Sequence, residues 1–170
     1  MEITIRAITL DDVVEVATLL RANREFLAPW DPIRSDDFYT DDGQRDVLAD
    51  VLSRDTNDPH VILVDGRIAG RINLNNIVRG PFLSASLGYW VDKDVNGHGV
   101  ATTAVDLMLR YAFGPAGLHR VEAGTLVHNV ASQRVLERNG FQRFGLAPRY
   151  LRIAGRWQDH ILFQRLADEP

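Results

Sequence analysis

The stretch Asn96-Gly97-His98-Gly99-Val100-Ala101 lies between an apolar, strand-like run and a helical stripe, and it is the part of the chain best suited to chemistry. The first turn of a helix carries backbone N–H groups without intrahelical partners, and the helix dipole favours an anion there. Glycines let the backbone approach a phosphate closely. Ala101 and Thr102 keep the same face open. Three ligands could exploit this turn. A nucleoside-triphosphate loop needs Lys-Ser/Thr after its second glycine, and Val100-Ala101 stands there instead. A dinucleotide fingerprint wants a third glycine inside paired βαβ halves, which are missing although Glu122 sits near the acidic position. The pyrophosphate of coenzyme A needs only a short glycine loop at a helix start, and fits best. The plain alternative is a tight turn and nothing more.

A second constellation follows about thirty residues on. Asn129, Ser132 and Gly140-Phe141 form the pattern Asn-x-x-Ser-x₇-Gly-Phe directly after a strand-like run. Taken singly, each has an ordinary use. Asn129 is a good N-cap, Ser132 reads as a solvated first-turn residue, and Phe141 reads as core packing.

The elements that must position these residues can be read from periodicity. Residues 2–8 read as a strand. Thr9 and Asp12 resemble a capping box, followed by Val13, Val16, Ala17 and Leu20 at helical spacing as far as Arg24. Residues 25–42 read as irregular, broken by Pro29 and Pro32, and a second helix runs from about Asp41 to Arg54 with Asp41 or Asp42 as its cap. His60–Val64 and Arg67–Asn73 form a hairpin over Asp65-Gly66, and Ala85–Val91 is a further strand. Val100, Ala104, Leu107, Met108 and Tyr111 make an apolar helical stripe. His119–Val127 is a strand, Asn129 opens a short helix ending at Gly140, and Arg149–Ile153 pairs with Trp157–Phe163 across Ala154-Gly155. The order β-α-α-β-β-β-α-β-α-β-β, free of repeats or linkers, predicts one α/β domain over residues 1–170 around a mixed sheet.

Composition narrows the function classes. A length of 170 residues suits one core, and a net charge of −4 speaks against a general nucleic-acid binder. The chain has no cysteine, so disulfides, thiolate metal sites and a cysteine nucleophile are excluded. An acyl group would therefore be transferred directly. No signal peptide is legible at the N-terminus, and the uncharged run Gly80–Val91 is too short to span a bilayer. A cytoplasmic protein without nucleic-acid, membrane or metal partners is expected.

The glycine turn and the Asn129–Phe141 pattern together resemble the GCN5-related N-acetyltransferase (GNAT) superfamily over essentially the whole chain. The resemblance is closest to the ribosomal-protein-alanine N-acetyltransferase (RimJ/RimL) branch, through Asn76-Ile77-Val78-Arg79-Gly80-Pro81-Phe82, Leu87-Gly88-Tyr89-Trp90, His119-Arg120 and Gly155-Arg156-Trp157-Gln158-Asp159-His160. It implies acetyl-CoA between two splayed central strands of a helix-flanked sheet. Trp90 and Val91 would pair with pantetheine, backbone amides of Gly97, His98, Gly99, Val100, Ala101 and Thr102 would hold the pyrophosphate, and Asn129 would bind the pantetheine arm. The family usually has Arg or Gln where Asn96 stands, so those amides should carry most of the pyrophosphate binding.

The resemblance also implies roles for catalytic residues, with two departures. Amine attack on a thioester needs a neutral amine, an oxyanion donor and a proton for the thiolate. A backbone N–H at the end of Leu87–Val91 is the expected oxyanion donor. The tyrosine that many members place seven residues after the motif asparagine is Leu136 here, so Ser132 is the expected acid. An acidic residue common before the Tyr150 position is Arg149, which leaves Glu122 and Asp159 as candidate bases, each also readable as a structural partner. An α-amine is neutral in on the order of a tenth of molecules at neutral pH, a lysine amine in below roughly one in a thousand. A missing base therefore fits an α-amine acceptor better. Residues 23–42 would wall the acceptor pocket, with Phe26, Leu27 and Trp30 as an apolar rim, Tyr150 facing them, and Asp31, Asp36, Asp37, Asp41 and Asp42 attracting a cation. The acceptor expected is a protein or peptide N-terminus; the alternatives are a small amine or aminoglycoside, or an inert CoA-binding module. A homodimer is compatible with the branch, and no residue specifies one.

Overall fold

The computed structural model describes residues 1–168. The elements follow the expected order: β1 (Ile3–Ala7), α1 (Val13–Leu27), α2 (Asp41–Leu52), β2 (Asp58–Val64), β3 (Arg67–Val78), β4 (Ser84–Val91), α3 (Val100–Phe113), β5 (Arg120–Leu126), α4 (Val130–Arg138), β6 (Gln142–Ile153) and β7 (Arg156–Leu166). The strands form one sheet in the order β1-β2-β3-β4-β5-β7-β6. Only β4 and β5 run parallel; the other neighbours are antiparallel. This is the mixed α/β sheet that the sequence predicts.

Two apolar cores cover the two faces of the sheet. The stripe Val100, Ala104, Met108 and Ala112 of α3, joined by Leu136 of α4, packs on Ile72, Leu74, Val121 and Phe163. On the other face, Val13, Val16 and Leu20 of α1 and Leu48 of α2 pack on Val61 and Ile68. Helical spacing of four and three turns one side of each helix to the sheet.

The segment 25–42 is more ordered than its prolines suggest. Helix α1 continues to Leu27, and 3-10 turns follow at Ala28–Trp30 and Asp36–Tyr39. Pro29 stands in the opening of the first turn, where an N–H would have no partner in any case. The cap of α2 is Thr40 and neither aspartate: its Oγ1 accepts from the Gly43 N–H at 3.0 Å. Asp41 is instead paired with Arg21 at 3.1 Å. Strand β6 begins at Gln142, seven residues before the expected start at Arg149. Irregularities between Arg143 and Gly145 and between Ala147 and Leu151 break its alternation. Pro148 is tolerated there because β6 is an edge strand.

Asp12 opens α1 as foreseen. Its carboxylate accepts from the Thr9 N–H at 2.8 Å and from both terminal nitrogens of Arg6 at 2.8 Å. The Arg6 hydrogen bonds hold the Asp12 carboxyl below the usual carboxylate range, against the opposing effect of burial. Asn23, fully buried, ties α1 to the turn that enters the glycine loop. Its Nδ2 donates to Asp92 Oδ1 at 2.9 Å and to the Leu19 carbonyl at 3.0 Å, and its Oδ1 accepts from the Lys93 N–H at 2.9 Å.

Asn23→Ala leaves Asp92 and the Lys93 amide without these partners, and urea denaturation should show a loss of about 2–3 kcal/mol. A depressed folded pKa contributes stability that is present above the unfolded value and lost as pH falls through the folded value. Acid titration of stability should therefore show a loss below about pH 4 that Asp12→Asn reduces; identical acid limbs would exclude the contribution.

Candidate active site

Strands β4 and β5 pair only at Ser84–Arg120, Ala85–Val121 and Ser86–Glu122. Beyond Ser86 each strand stays with its other neighbour. β4 pairs with β3 as far as Val91–Gly70, and β5 pairs with β7 as far as Leu126–His160. Gly70 makes the close approach to β4 possible, since a Cβ there would stand 2.2 Å from the Trp90 carbonyl oxygen. The two strand ends therefore part. A cavity of about 390 Å³ fills the gap, bounded by Gly88, Trp90 and Val91 of β4, Gly124 and Thr125 of β5, and Ser132 of α4. The backbone groups that face it have no sheet partner and are open to a ligand.

The glycine turn forms one mouth of this cleft. Gly97 and Gly99 have φ of 81° and 79°, and a Cβ on either would meet nothing within 4 Å. Glycine is needed for the left-handed backbone, not for space. Thr103 is the first residue of α3 whose N–H bonds back along the helix, to the Gly99 carbonyl at 3.0 Å, so the preceding amides are unclaimed by the helix. Asn96 and Ala101 line the cavity, while Gly97, His98 and Gly99 are exposed beside it. The Val100 side chain is core and Thr102 is half-buried, so these two offer backbone only. Open amides at a helix start, beside a strand edge with free N–H and C=O groups, fit the pyrophosphate and pantetheine of coenzyme A.

Asn129 serves as the N-cap of α4, its Oδ1 accepting from the Ser132 N–H at 3.2 Å. It also lines the cavity, and its Nδ2 makes no hydrogen bond among the described residues. Capping and ligand contact are thus compatible in one side chain. Ser132 stands deeper, its Oγ 2.7 Å from Tyr89 Oη. Burial pushes the Tyr89 hydroxyl up to about 12, with the Ser132 contact pulling the other way, so Tyr89 is neutral at physiological pH. Leu136, seven residues after Asn129, is buried core.

The opposite mouth is walled by Phe26, Leu27, Trp30 and Asp31. The Asp31 carbonyl accepts from the Ala154 N–H at 2.9 Å, which pins the β6–β7 turn against this wall. Trp30 packs against His128 with ring centroids 5.6 Å apart. Of the five aspartates expected to make this rim acidic, only Asp31 lines the cavity; Asp36 is paired with Arg24 at 2.7 Å and Asp41 with Arg21. Burial pushes the Asp31 carboxyl up, opposed by Arg34.

Glu122 and Tyr150 stand apart from the main cavity. They share a pit of about 30 Å³ with Ser86 and Phe144. Glu122 accepts from Arg120 Nε at 2.7 Å, and Asp159 accepts from the Arg149 N–H at 2.8 Å, so each acid has the structural partner that the sequence allows as its alternative use. His160, which the sequence places in the branch motif without a role, is 3% exposed and lines the cavity. Its Nδ1 lies 2.9 Å from the Gln158 carbonyl. A carbonyl only accepts, so Nδ1 carries the proton and Nε2 of the neutral ring holds a free lone pair. Tyr89 likewise stands in a branch motif without a role legible from sequence; the contact that gives it one spans two distant elements.

Among the described residues, no three His, Asp or Glu side chains gather as a metal site, and no helix is long and apolar enough to cross a membrane. Residues 2–142 match the acetyltransferase (GNAT) domain family. The chain is 38% identical over 163 residues to a probable N-acetyltransferase, YjcK, of Bacillus subtilis, covering 93% of this chain and 90% of that protein. It is 31% identical over 165 residues to the ribosomal protein uS5-alanine N-acetyltransferase of Escherichia coli, covering 94% and 85%. Its fold superposes on Mycobacterium smegmatis RimJ in complex with CoA-disulfide with a TM-score of 0.93 at 30% identity, covering 97% of this chain and 82% of that one. The splayed strands, the glycine turn and these relationships agree: the chain belongs to the GNAT acetyltransferase family, in its RimJ/RimL-like branch, and is an acyl-CoA-dependent N-acyltransferase that uses acetyl-CoA.

Proposed function

We propose that residues 1–170 act as one unit that acetylates the N-terminal α-amine of a protein or peptide in the cytoplasm. The observation that carries this reading is a cleft open at both mouths, with Ser132–Tyr89 on its α4 side and His160 and Asp31 toward the other. Similarity to an alanine N-acetyltransferase supports an α-amine, and so does the larger neutral fraction of such amines at neutral pH.

Each group has a role in this scheme. The amide groups of Gly97 to Thr102 hold the pyrophosphate, and Asn129 Nδ2 with the free edge at Trp90 and Val91 aligns pantetheine. Asp31 draws the ammonium form of the acceptor into the cleft, and His160 Nε2 takes its proton. The neutral nitrogen then bonds to the acetyl carbonyl carbon while an N–H of the free β4 edge stabilises the oxygen. As the carbon–sulfur bond breaks, the Ser132 hydroxyl gives its proton to sulfur and takes one from Tyr89 Oη across their 2.7 Å contact. The surplus proton on the newly acylated nitrogen passes through water to restore Tyr89, and His160 releases the first proton to solvent. Glu122 keeps Arg120 in place; its participation as a base would require breaking that pair.

Mass spectrometry of reactions with acetyl-CoA and Ala- or Ser-initiated peptides, free amines and aminoglycosides tests the acceptor class. A mass gain of one acetyl group on peptide α-amines is expected; acetylation confined to small amines would overturn the reading. Ser132→Ala should lower kcat by about 10²-fold or more, while acetyl-CoA still raises Tm, and Tyr89→Phe should cost less. His160→Gln should lower kcat/KM most at pH 6–7. That deficit should shrink toward about pH 9, where the α-amine deprotonates unaided. A deficit independent of pH would remove His160 as the base.

A further inference from the structure

Arg71 lies on β3, paired with the cleft-lining Trp90 of β4 and itself one strand behind the cavity's lining, without a counter-ion among the described residues. Ile72 and Leu74 of β3 are buried in the core under α3, so strand alternation sends Arg71, Asn73 and Asn75 to the opposite face, the one that α1 covers. In register with them on β4 stand Trp90, Gly88 and Ser86. Gly88 and Trp90 line the cleft, and Trp90 also packs on the α1 core. A Cβ on Gly88 would lie only 3.4 Å from Asn75 Nδ2, so the glycine keeps the cleft open toward this polar row.

The guanidinium is poorly satisfied where it sits. Its Nη2 donates to Asn73 Oδ1 at 3.3 Å, and its Nε is buried with no partner. No carboxylate forms an ion pair with it among the described residues, and burial alone pulls its pKa down to about 10. It is still cationic at neutral pH. A partly buried cation without a carboxylate partner costs stability that an apolar side chain of similar size would avoid. Nothing in the packing asks for a charge at this position, whereas an anion arriving with the acceptor would satisfy it.

We propose that Arg71, with Asn73 and Asn75, binds a carboxylate that the acceptor carries close to its reacting amine. The proposal rests on the reading of this cleft as the acceptor site. Arg71 and Gly88 are diagonal cross-strand neighbours, about 7–8 Å apart. A carboxylate held at Gly88 therefore falls within the reach of an arginine side chain, whether it is an amino acid's own or an acidic side chain at the second position of a peptide. Asp31 on the other wall complements the cationic amine, so the two charges of such an acceptor meet opposite charges.

The test compares two matched pairs of probes on the enzyme with CoA bound: Ala-Glu-amide against Ala-Gln-amide, and L-alanine against L-alaninamide. Isothermal titration should show about tenfold or tighter binding of the carboxylate-bearing member of at least one pair, as expected for a charge-assisted bond. The pair that discriminates identifies the source of the carboxylate. Arg71→Met should collapse that ratio toward one and leave Tm equal or higher, while Arg71→Lys should keep part of the ratio. A wild-type ratio of one in both pairs, or a ratio that survives Arg71→Met, overturns the proposal. Because binding is read without turnover, failure of both dipeptides to be acetylated would count against the proposed reaction and leave this result standing on its own.

Discussion

Everything functional in this molecule depends on two parallel strands that stop pairing after three residues. A sheet interior normally claims every backbone N–H and C=O, and an unclaimed edge is costly unless something else binds it. Here β4 and β5 separate after Ser86 and Glu122, and each remains fully engaged on its far side. The rest of the fold holds that gap at a fixed width. The apolar stripe of α3 and Leu136 of α4 pack beneath it, and the α1 core supports β3 and β4 from the other face.

The gap passes through the sheet, so it joins two chemically different surfaces. On the α3 side, the groups open to a ligand are main chain: the glycine turn, the first turn of α3 and the free edge of β4. On the α1 side, the groups are side chains, namely Trp30, Asp31, His160 and the polar row on β3. Asn23 links the two, since it belongs to the helix of the second side and holds the loop of the first.

Much of this was legible before any coordinates. The order of elements, the hairpin at Asp65-Gly66, the stripe of α3 and the glycine turn rest on local rules, and local rules hold where neighbours in sequence decide the outcome. The boundaries that moved were set by tertiary contacts. Pro29 reads as a breaker, yet it occupies a helical opening where it is harmless, and Thr40 takes the cap while Asp41 is drawn to Arg21. The site was half legible. Asn129 and Ser132 announce themselves by spacing. The roles of Tyr89, His160 and Asn23 are not legible, because they depend on partners or on a cavity wall assembled from distant segments. Only the sheet register shows that Tyr89 meets Ser132, 43 positions away.

The pinning of the Asp31 carbonyl by the Ala154 amide has a wider consequence. It makes the wall around Trp30 and Asp31 a joint between two surface turns that are distant in the chain and that contribute little to either core. Such a joint can be rebuilt one turn at a time. New residues in the 28–37 segment or at the tip of the β6–β7 hairpin would alter the shape of this mouth, and the glycine turn, with its main-chain groups, would not register the change. The architecture separates a main-chain half of the cleft from a side-chain half, and leaves only the second open to drift.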